Sequence, residues 1–221
     1  MVPVLGYWDN RGLGQFIRNL LIYKGVPFRD KRYKFGPPPS YDVNEWQKEK
    51  FTLGLEFPSL PYYVDDDVKL TQSMAIIRYL GRNLDLGPRT DQEMTVLDVL
   101  EQQAKEMCVN LGRAVVDHPC FEDMRLEYEN TMEGVLKPWD EHFQHRKWAL
   151  GDRITYVDFI LYEALDWNHE FKPSTFKTHQ DLIHFMRRFE DLPNLREYML
   201  SNAYNKYPIF SPRRKWGYVK E

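Results

Sequence analysis

The hydrophobic pattern predicts two folding units of different class, a small mixed α/β unit over residues 1–83 and an all-helical unit over residues 91–221. Three observations carry that reading. Short strand-like and helix-like stretches alternate up to Asn83, the strand signal vanishes after it, and the aperiodic Leu84-Asp85-Leu86-Gly87-Pro88-Arg89-Thr90 lies between as a linker. No internal repeat or low-complexity tract interrupts either half.

Val2 to Trp8 is a brief apolar strand, broken by Asp9-Asn10-Arg11-Gly12. From Gly14 to Lys24, Phe16, Ile17, Leu20 and Leu21 recur at helical spacing, and Gly25 supplies the stop. Phe28 to Tyr33 reads as a second strand. Gly36-Pro37-Pro38-Pro39-Ser40 must be an exposed loop, because proline has no N–H donor and a fixed φ. A short helix follows from Asn44 to Lys50. Pro61 stands directly before the apolar run Tyr62-Tyr63-Val64, where it removes no ladder hydrogen bond. Asp65-Asp66-Asp67 turns that run into Val68-Lys69-Leu70, completing a hairpin. Thr71-Gln72-Ser73 opens a helix whose apolar face is Met74, Ile76, Ile77 and Leu80. The order βαβ then ββα predicts a mixed four-stranded sheet of thioredoxin-like arrangement.

In the second unit, one long helix spans Asp91 to Asp117 and another Glu122 to His145, with Gly134 and Pro138 set to bend it. Thr155 precedes Asp158 by three residues, a capping-box spacing with Asp in place of Glu or Gln, and Ile154 and Phe159 occupy the staple positions. Further helices fit Gln180–Glu190 and Asn194–Asn202. The tail from Ala203 to Glu221 is aromatic and without period.

Composition removes whole classes of function. Hydrophobic residues make up 43% and aromatics 15%, enough for a packed core. With 30 basic against 33 acidic residues the formal charge is −3, so no global field exists to hold nucleic acid. Two cysteines, Cys108 and Cys120, build no disulfide framework, and the chain carries no signal-like leader or membrane-length apolar run. A cytoplasmic protein is expected.

Arg11-Gly12-Leu13-Gly14 lacks the third glycine and the acidic residue of a dinucleotide fingerprint, and reads as a strand-to-helix turn. A thioredoxin-like unit without Cys-x-x-Cys cannot run disulfide exchange; Tyr7 stands at the end of the first strand instead. His142 with His145, and His118 near Cys120, lack the further ligands of a closed zinc site, so no metal is expected. Arg213-Arg214-Lys215 reads as a solvated basic tail, with contact to an anionic ligand as the lesser alternative. The helix opened by Gln72-Ser73 offers free N–H groups to a carboxylate, and Trp8, Trp46 and Lys50 add aromatic walls and a cation. That set suits a small anionic ligand.

Leu5-Gly6-Tyr7-Trp8-Asp9, Arg11-Gly12-Leu13, Lys50-Phe51 with Leu53-Gly54-Leu55, Phe57-Pro58 with Leu60-Pro61-Tyr62, Thr71-Gln72-Ser73 and Thr155 to Phe159 together resemble the mu class of cytosolic glutathione transferases. The proline-rich loop Gly36–Tyr41 and the Phe210, Ser211 and Trp216 tail extend the likeness over nearly the whole chain. The resemblance implies conjugation of reduced glutathione, a co-substrate rather than a permanently bound cofactor, to small hydrophobic electrophiles. A weakly catalytic binding protein, or a glutathione-dependent isomerase or peroxidase, are the alternatives. By the same resemblance Tyr7 is the catalytic hydroxyl, and Trp8, Leu13, Trp46, Lys50, Ser59, Leu60, cis-Pro61, Gln72, Ser73 and Glu106 complete the glutathione site, Glu106 reaching into a neighbouring subunit. Asn10, Leu13, Gly112, Val116, Phe210 and Ser211 would line the electrophile pocket, and Phe57 and Arg78 would lie at a homodimer interface. Val43 replaces an arginine of the class, Ser59 an asparagine, and Val116 a tyrosine whose hydroxyl assists some additions. Displacement on aromatic halides is therefore expected to outpace addition to epoxides and enones.

Overall fold

The computed structural model describes residues 1–219. Four strands form one mixed sheet: β1 (Val4–Trp8), β2 (Arg29–Tyr33), β3 (Tyr62–Val64) and β4 (Lys69–Thr71), in the order β2-β1-β3-β4. β1 runs parallel to β2, as a crossover through a helix requires, and β3 is antiparallel to both neighbours. That crossover is α1 (Gly12–Tyr23), while α2 (Asn44–Glu49) and α3 (Ser73–Asn83) complete the α/β unit. Period-two alternation sorts the strand residues between two clusters. Leu5 and Tyr63 face the main core with Phe16, Ile17, Ile76 and Ile77, whereas Val4 and Tyr62 face a smaller cluster with Tyr33, Trp46 and Leu55.

The helical part comprises α4 (Asp91–Ala114), α5 (Phe121–Phe143), α6 (Tyr156–Phe171), α7 (Gln180–Glu190) and α8 (Leu195–Leu200). Its axis is α6, buried from Tyr156 to Asn168 and packed on α1, α3, α4 and α7. The Thr155–Asp158 capping box forms, with the Thr155 N–H donating to Asp158 Oδ2 at 2.7 Å; Asp158 Oδ1 also accepts from the Ala149 N–H at 2.7 Å. One continuous core runs from α1 and α3 through α4 and α6 to α7, so the two units share a hydrophobic interior.

Element ends differ from the sequence-based expectation where distant chain intervenes. α4 stops at Ala114 rather than Asp117, because the tail crosses there: Val116 pairs with Arg214, and the Lys215 N–H donates to the Val115 carbonyl at 3.1 Å. α5 continues through Pro138 to Phe143, not His145. Asn194 has φ of 63°, outside the right-handed helix, and α8 begins after it. A 3-10 turn over Pro173–Thr178, for which no period signalled, leads α6 into α7. The last two residues of the expected tail and helical unit, Lys220 and Glu221, lie outside the described residues. Among the described residues no helix is long and apolar enough to cross a membrane.

A buried ionic cluster ties the units together. Arg11, just before α1, donates through Nε and Nη2 to Glu163 Oε2 on α6 at 3.1 and 2.9 Å, and Nη2 lies 2.6 Å from Asp166. Asn19 and Trp167 donate to the same Glu163 carboxylate, both at 3.0 Å. Arg11 and Glu163 side chains are fully shielded from solvent. Removing one partner of such a pair strands the other charge in a dry interior, which outweighs any pairwise gain. Arg11→Met is expected to lower unfolding stability by about 3–5 kcal/mol in urea denaturation, with partial recovery on adding Glu163→Gln. A loss below about 1 kcal/mol would mean that the cluster is solvated in solution.

Candidate functional site

The site grows from the turn between β1 and α1. Tyr7 is the penultimate residue of β1, and its ring is buried. Its hydroxyl oxygen accepts the Leu13 N–H at 3.0 Å, which leaves the phenolic proton to donate elsewhere. The two glycines of the turn exist for this ring. A Cβ on Gly12, whose φ is +34°, would stand 2.6 Å from the Tyr7 hydroxyl, and one on Gly14 would stand 2.5 Å from Tyr7 Cδ1. Arg18, on the next turn of α1, donates to the Asn10 and Trp8 carbonyls at 2.8 and 3.2 Å and is anchored by Asp30 at 3.0 Å. It holds the turn's backbone from below, with its guanidinium carbon 5.9 Å from the Tyr7 ring centroid.

Burial pushes the Tyr7 phenol above its ordinary pKa, against the pull of the Leu13 amide and of the Arg18 and Arg214 charges. At neutral pH the group is a hydroxyl donor, not a phenolate.

The residues expected to hold a tripeptide are spread over the end of β1, α2, the segment ahead of β3 and the start of α3. Trp8 stacks on Phe35 with ring centroids 4.4 Å apart. Trp46 is buried against Tyr33 and Tyr62, at 5.3 and 6.0 Å, and positions α2, whose end is closed by the Lys50 N–H donating to the Trp46 carbonyl. Lys50 Nζ lies 5.2 Å from the Phe51 ring. Ser59 and Leu60 are half-buried ahead of β3, and the Leu60–Pro61 peptide is cis. Gln72 takes φ of 72° at the start of α3, and neither its side chain nor another caps the helix. Ser73 is buried as the first helical residue, so the opening N–H groups of α3 keep their capacity for an anion.

Two adjoining cavities of about 300 Å³ each share Tyr7, Gly12, Phe210 and Arg214. Leu13, Gly112, Cys108 and Trp167 line the first; Asn10, Trp8 and Ser211 line the second. Tyr7, Asn10, Leu13, Gly112, Phe210 and Ser211 are thus brought together. Val116 is not: it lines neither cavity and spends its backbone on the pairing with Arg214. Glu106 is exposed on α4, away from these cavities within one chain. A third cavity, of about 290 Å³, opens between Tyr162, Asp166, Glu190 and Lys206, among charges of both signs, and shares no lining residue with the other two.

Arg213, Arg214 and Lys215 do not form the free tail that their sequence suggested. Arg213 donates to the Tyr41 carbonyl at 2.7 Å, Arg214 to the Gly112 carbonyl at 2.7 Å, and Lys215 pairs with Asp117 at 3.1 Å. Arg18 and Arg214 are the site residues that sequence reasoning missed. The basic triplet was the one available signal for Arg214, and nothing local marked Arg18.

Residues 3–82 match the family model for the glutathione S-transferase N-terminal domain, and residues 120–202 match that for its C-terminal domain. The chain is 40% identical to glutathione S-transferase Mu 4 of Mus musculus over 217 residues, 98% of this chain and 99% of the relative. It is 41% identical to glutathione S-transferase Mu 2 of Macaca fascicularis with the same coverage. Among solved structures, the glutathione S-transferase Blo t 8 superposes with a TM-score of 0.89 at 35% identity, over 97% of this chain and 100% of that one. The pi-class glutathione S-transferase of Onchocerca volvulus gives 0.83 at 26% identity, again over 97% and 100%.

Proposed function

Because this chain belongs to the glutathione S-transferase family, with mu-class relatives along its whole length, we propose that it conjugates reduced glutathione to small hydrophobic electrophiles, with Tyr7 as the hydroxyl that keeps the sulfur ionised. The observation that carries the role of Tyr7 is its hydrogen bond from Leu13, which occupies the phenol oxygen and leaves the O–H aimed for donation beside an apolar cavity.

The energetics are of the right size. A free thiol of pKa about 8.5 is a few per cent thiolate at neutral pH, and the thiolate is the nucleophile. Lowering that pKa by about two units needs about 2.7 kcal/mol of preferential anion stabilisation. A donor to a charged acceptor in a partly dry site contributes about 1.5–3 kcal/mol. The cavity then holds the electrophile beside the sulfur, adding proximity to activation.

Around that sulfur the α3 amides with Gln72 and Ser73 take the γ-glutamyl carboxylate. Leu60 and cis-Pro61, with Ser59, hold the cysteinyl part, and Trp8, Leu13, Trp46 and Lys50 the glycyl end. Asn10, Leu13, Gly112, Phe210 and Ser211 face the electrophile. The site is complete in a dimer, where Glu106 approaches the neighbouring subunit's glutathione. Phe57 supports the dimer, being 71% exposed on a loop between Gly54 and Pro58, a large apolar side chain with no use for water. Arg78, held by buried Glu101 at 2.6 Å, would flank that contact. A cytoplasmic location, where reduced glutathione is abundant, completes the reading.

Tyr7→Phe is expected to lower kcat toward a chlorinated nitrobenzene by about 10–100-fold while the Kd for glutathione changes less than about threefold. Unchanged turnover would remove Tyr7 from the chemistry. Phe57→Ala is expected to raise the dimer dissociation constant at least about tenfold in sedimentation velocity, as for the loss of a buried aromatic anchor. A dimer of unaltered strength would exclude the plug.

A further inference from the structure

We propose that the third cavity, enclosed by α6, α7, α8 and the start of the tail, binds a primary ammonium carried on an apolar body. This site is separate from the two cavities beside Tyr7, and the inference does not depend on the conjugation chemistry above.

The buried wall of this cavity holds more negative charge than its neighbours neutralise. Arg11 stands between two buried carboxylates, Glu163 and Asp166, so one of the two charges has no counterpart. The guanidinium's aligned donors favour Glu163. Nε and Nη2 donate to Glu163 Oε2 at 3.1 and 2.9 Å, and Nη1 reaches the Lys206 carbonyl at 3.5 Å. Asp166 lies 2.6 Å from Nη2, yet no N–H is aligned on it and its Oδ2 has no hydrogen-bond partner. This residue is only 5% exposed and lines the cavity. A buried carboxylate without a donor is costly, so a ligand that brings one is favoured.

Glu190, the last residue of α7, repeats the pattern. It accepts from the Tyr162 hydroxyl at 2.9 Å, while the two cations of the wall are engaged elsewhere. Lys206 pairs with Glu170 at 2.6 Å, and Arg196 faces Asp191 at 3.9 Å on the exposed rim. Burial pushes the Glu190 carboxyl above its ordinary pKa against the Tyr162 hydrogen bond and the Lys206 charge, and Asp166 and Asp191 push it the same way as burial. A cation beside it relieves that repulsion.

The walls also say which cation. Among the described residues no group of three His, Cys, Asp or Glu side chains could hold a metal ion, so a divalent metal has no cage here. An ammonium needs none, because its three donors and lack of any acceptor match carboxylates that only accept. Met199, Leu200 and Tyr204 supply the apolar part of the lining. Leu200, at the end of α8, is 80% exposed, a large apolar side chain that a ligand's hydrocarbon would cover. Tyr204 adds a ring whose face attracts ammonium groups. The volume of about 290 Å³ lies at the lower end of small-molecule sites, which suits an amine of a few carbons or one ring.

Isothermal titration calorimetry of the full chain with 2-phenylethylamine, neutral 2-phenylethanol and anionic 3-phenylpropanoate tests the site, and reads binding whether or not the protein conjugates glutathione. The amine should bind wild type with a Kd below about 1 mM, at least about tenfold tighter than the alcohol or the carboxylate. Asp166→Asn and Glu190→Gln should each weaken the amine about tenfold or more. Leu200→Lys, at an exposed position where the core is not disturbed, should weaken it about threefold or more by setting a like charge beside the ligand. An amine that binds all three variants as tightly as wild type is held elsewhere and overturns the proposal. So does wild type that takes up no amine at 1 mM, or that prefers 3-phenylpropanoate, which would make Arg196 and Lys206 the binding groups.

Discussion

The site depends on a clasp between the two ends of the chain. The N–H groups of Arg11 and Gly12 donate to the Pro208 and Ile209 carbonyls at 2.9 and 3.0 Å, while the Arg11 side chain is sunk into the Glu163 and Asp166 carboxylates of α6. One residue thus fixes three things at once: where α1 begins, where the helical unit sits against the sheet, and where the tail turns back over the site. The Leu13 N–H that meets the Tyr7 oxygen lies two residues beyond this anchor. Ser211, Phe210 and Arg214 follow directly from the two carbonyls it engages. Burying a guanidinium between two carboxylates is an expensive way to stabilise a fold. Its use here is geometric: it sets the spacing between a hydroxyl donor and an apolar cavity that come from opposite ends of the sequence.

Electrostatics at the site follow from that placement. The cavity walls carry cations and hydroxyls but no carboxylate, while the acidic groups nearby are consumed in fixed pairs, Asp30 with Arg18 and Glu163 with Arg11. Burial keeps Tyr7 protonated, which suits a donor to an anion better than a phenolate would. Cys108, in the wall of the same cavity, is driven the same way: burial raises its thiol far above the ordinary range, so it competes poorly as a nucleophile. The nucleophile must therefore arrive with the ligand.

What the sequence disclosed was local or periodic. The βαβ-ββα order, the capping box at Thr155 and the core faces of α1 and α3 could be read because each is set within a few residues. Tyr7 as a strand-end hydroxyl was visible, but its chemical role came from family resemblance. The glycines at Gly12 and Gly14 read as a bare turn; that they clear space for the Tyr7 ring needed coordinates. The anchoring of Arg214 is not local: its partner, the Gly112 carbonyl, is 102 residues away and the tail has no period. The same crossing shortened α4 and made Val116 a backbone partner of Arg214.

The most direct measurement is an ultraviolet difference titration of glutathione bound to the wild-type protein. The account predicts that the thiolate band rises with a midpoint about two units below the free thiol's pKa of about 8.5. A midpoint at the free-thiol value, with glutathione demonstrably bound, would contradict it.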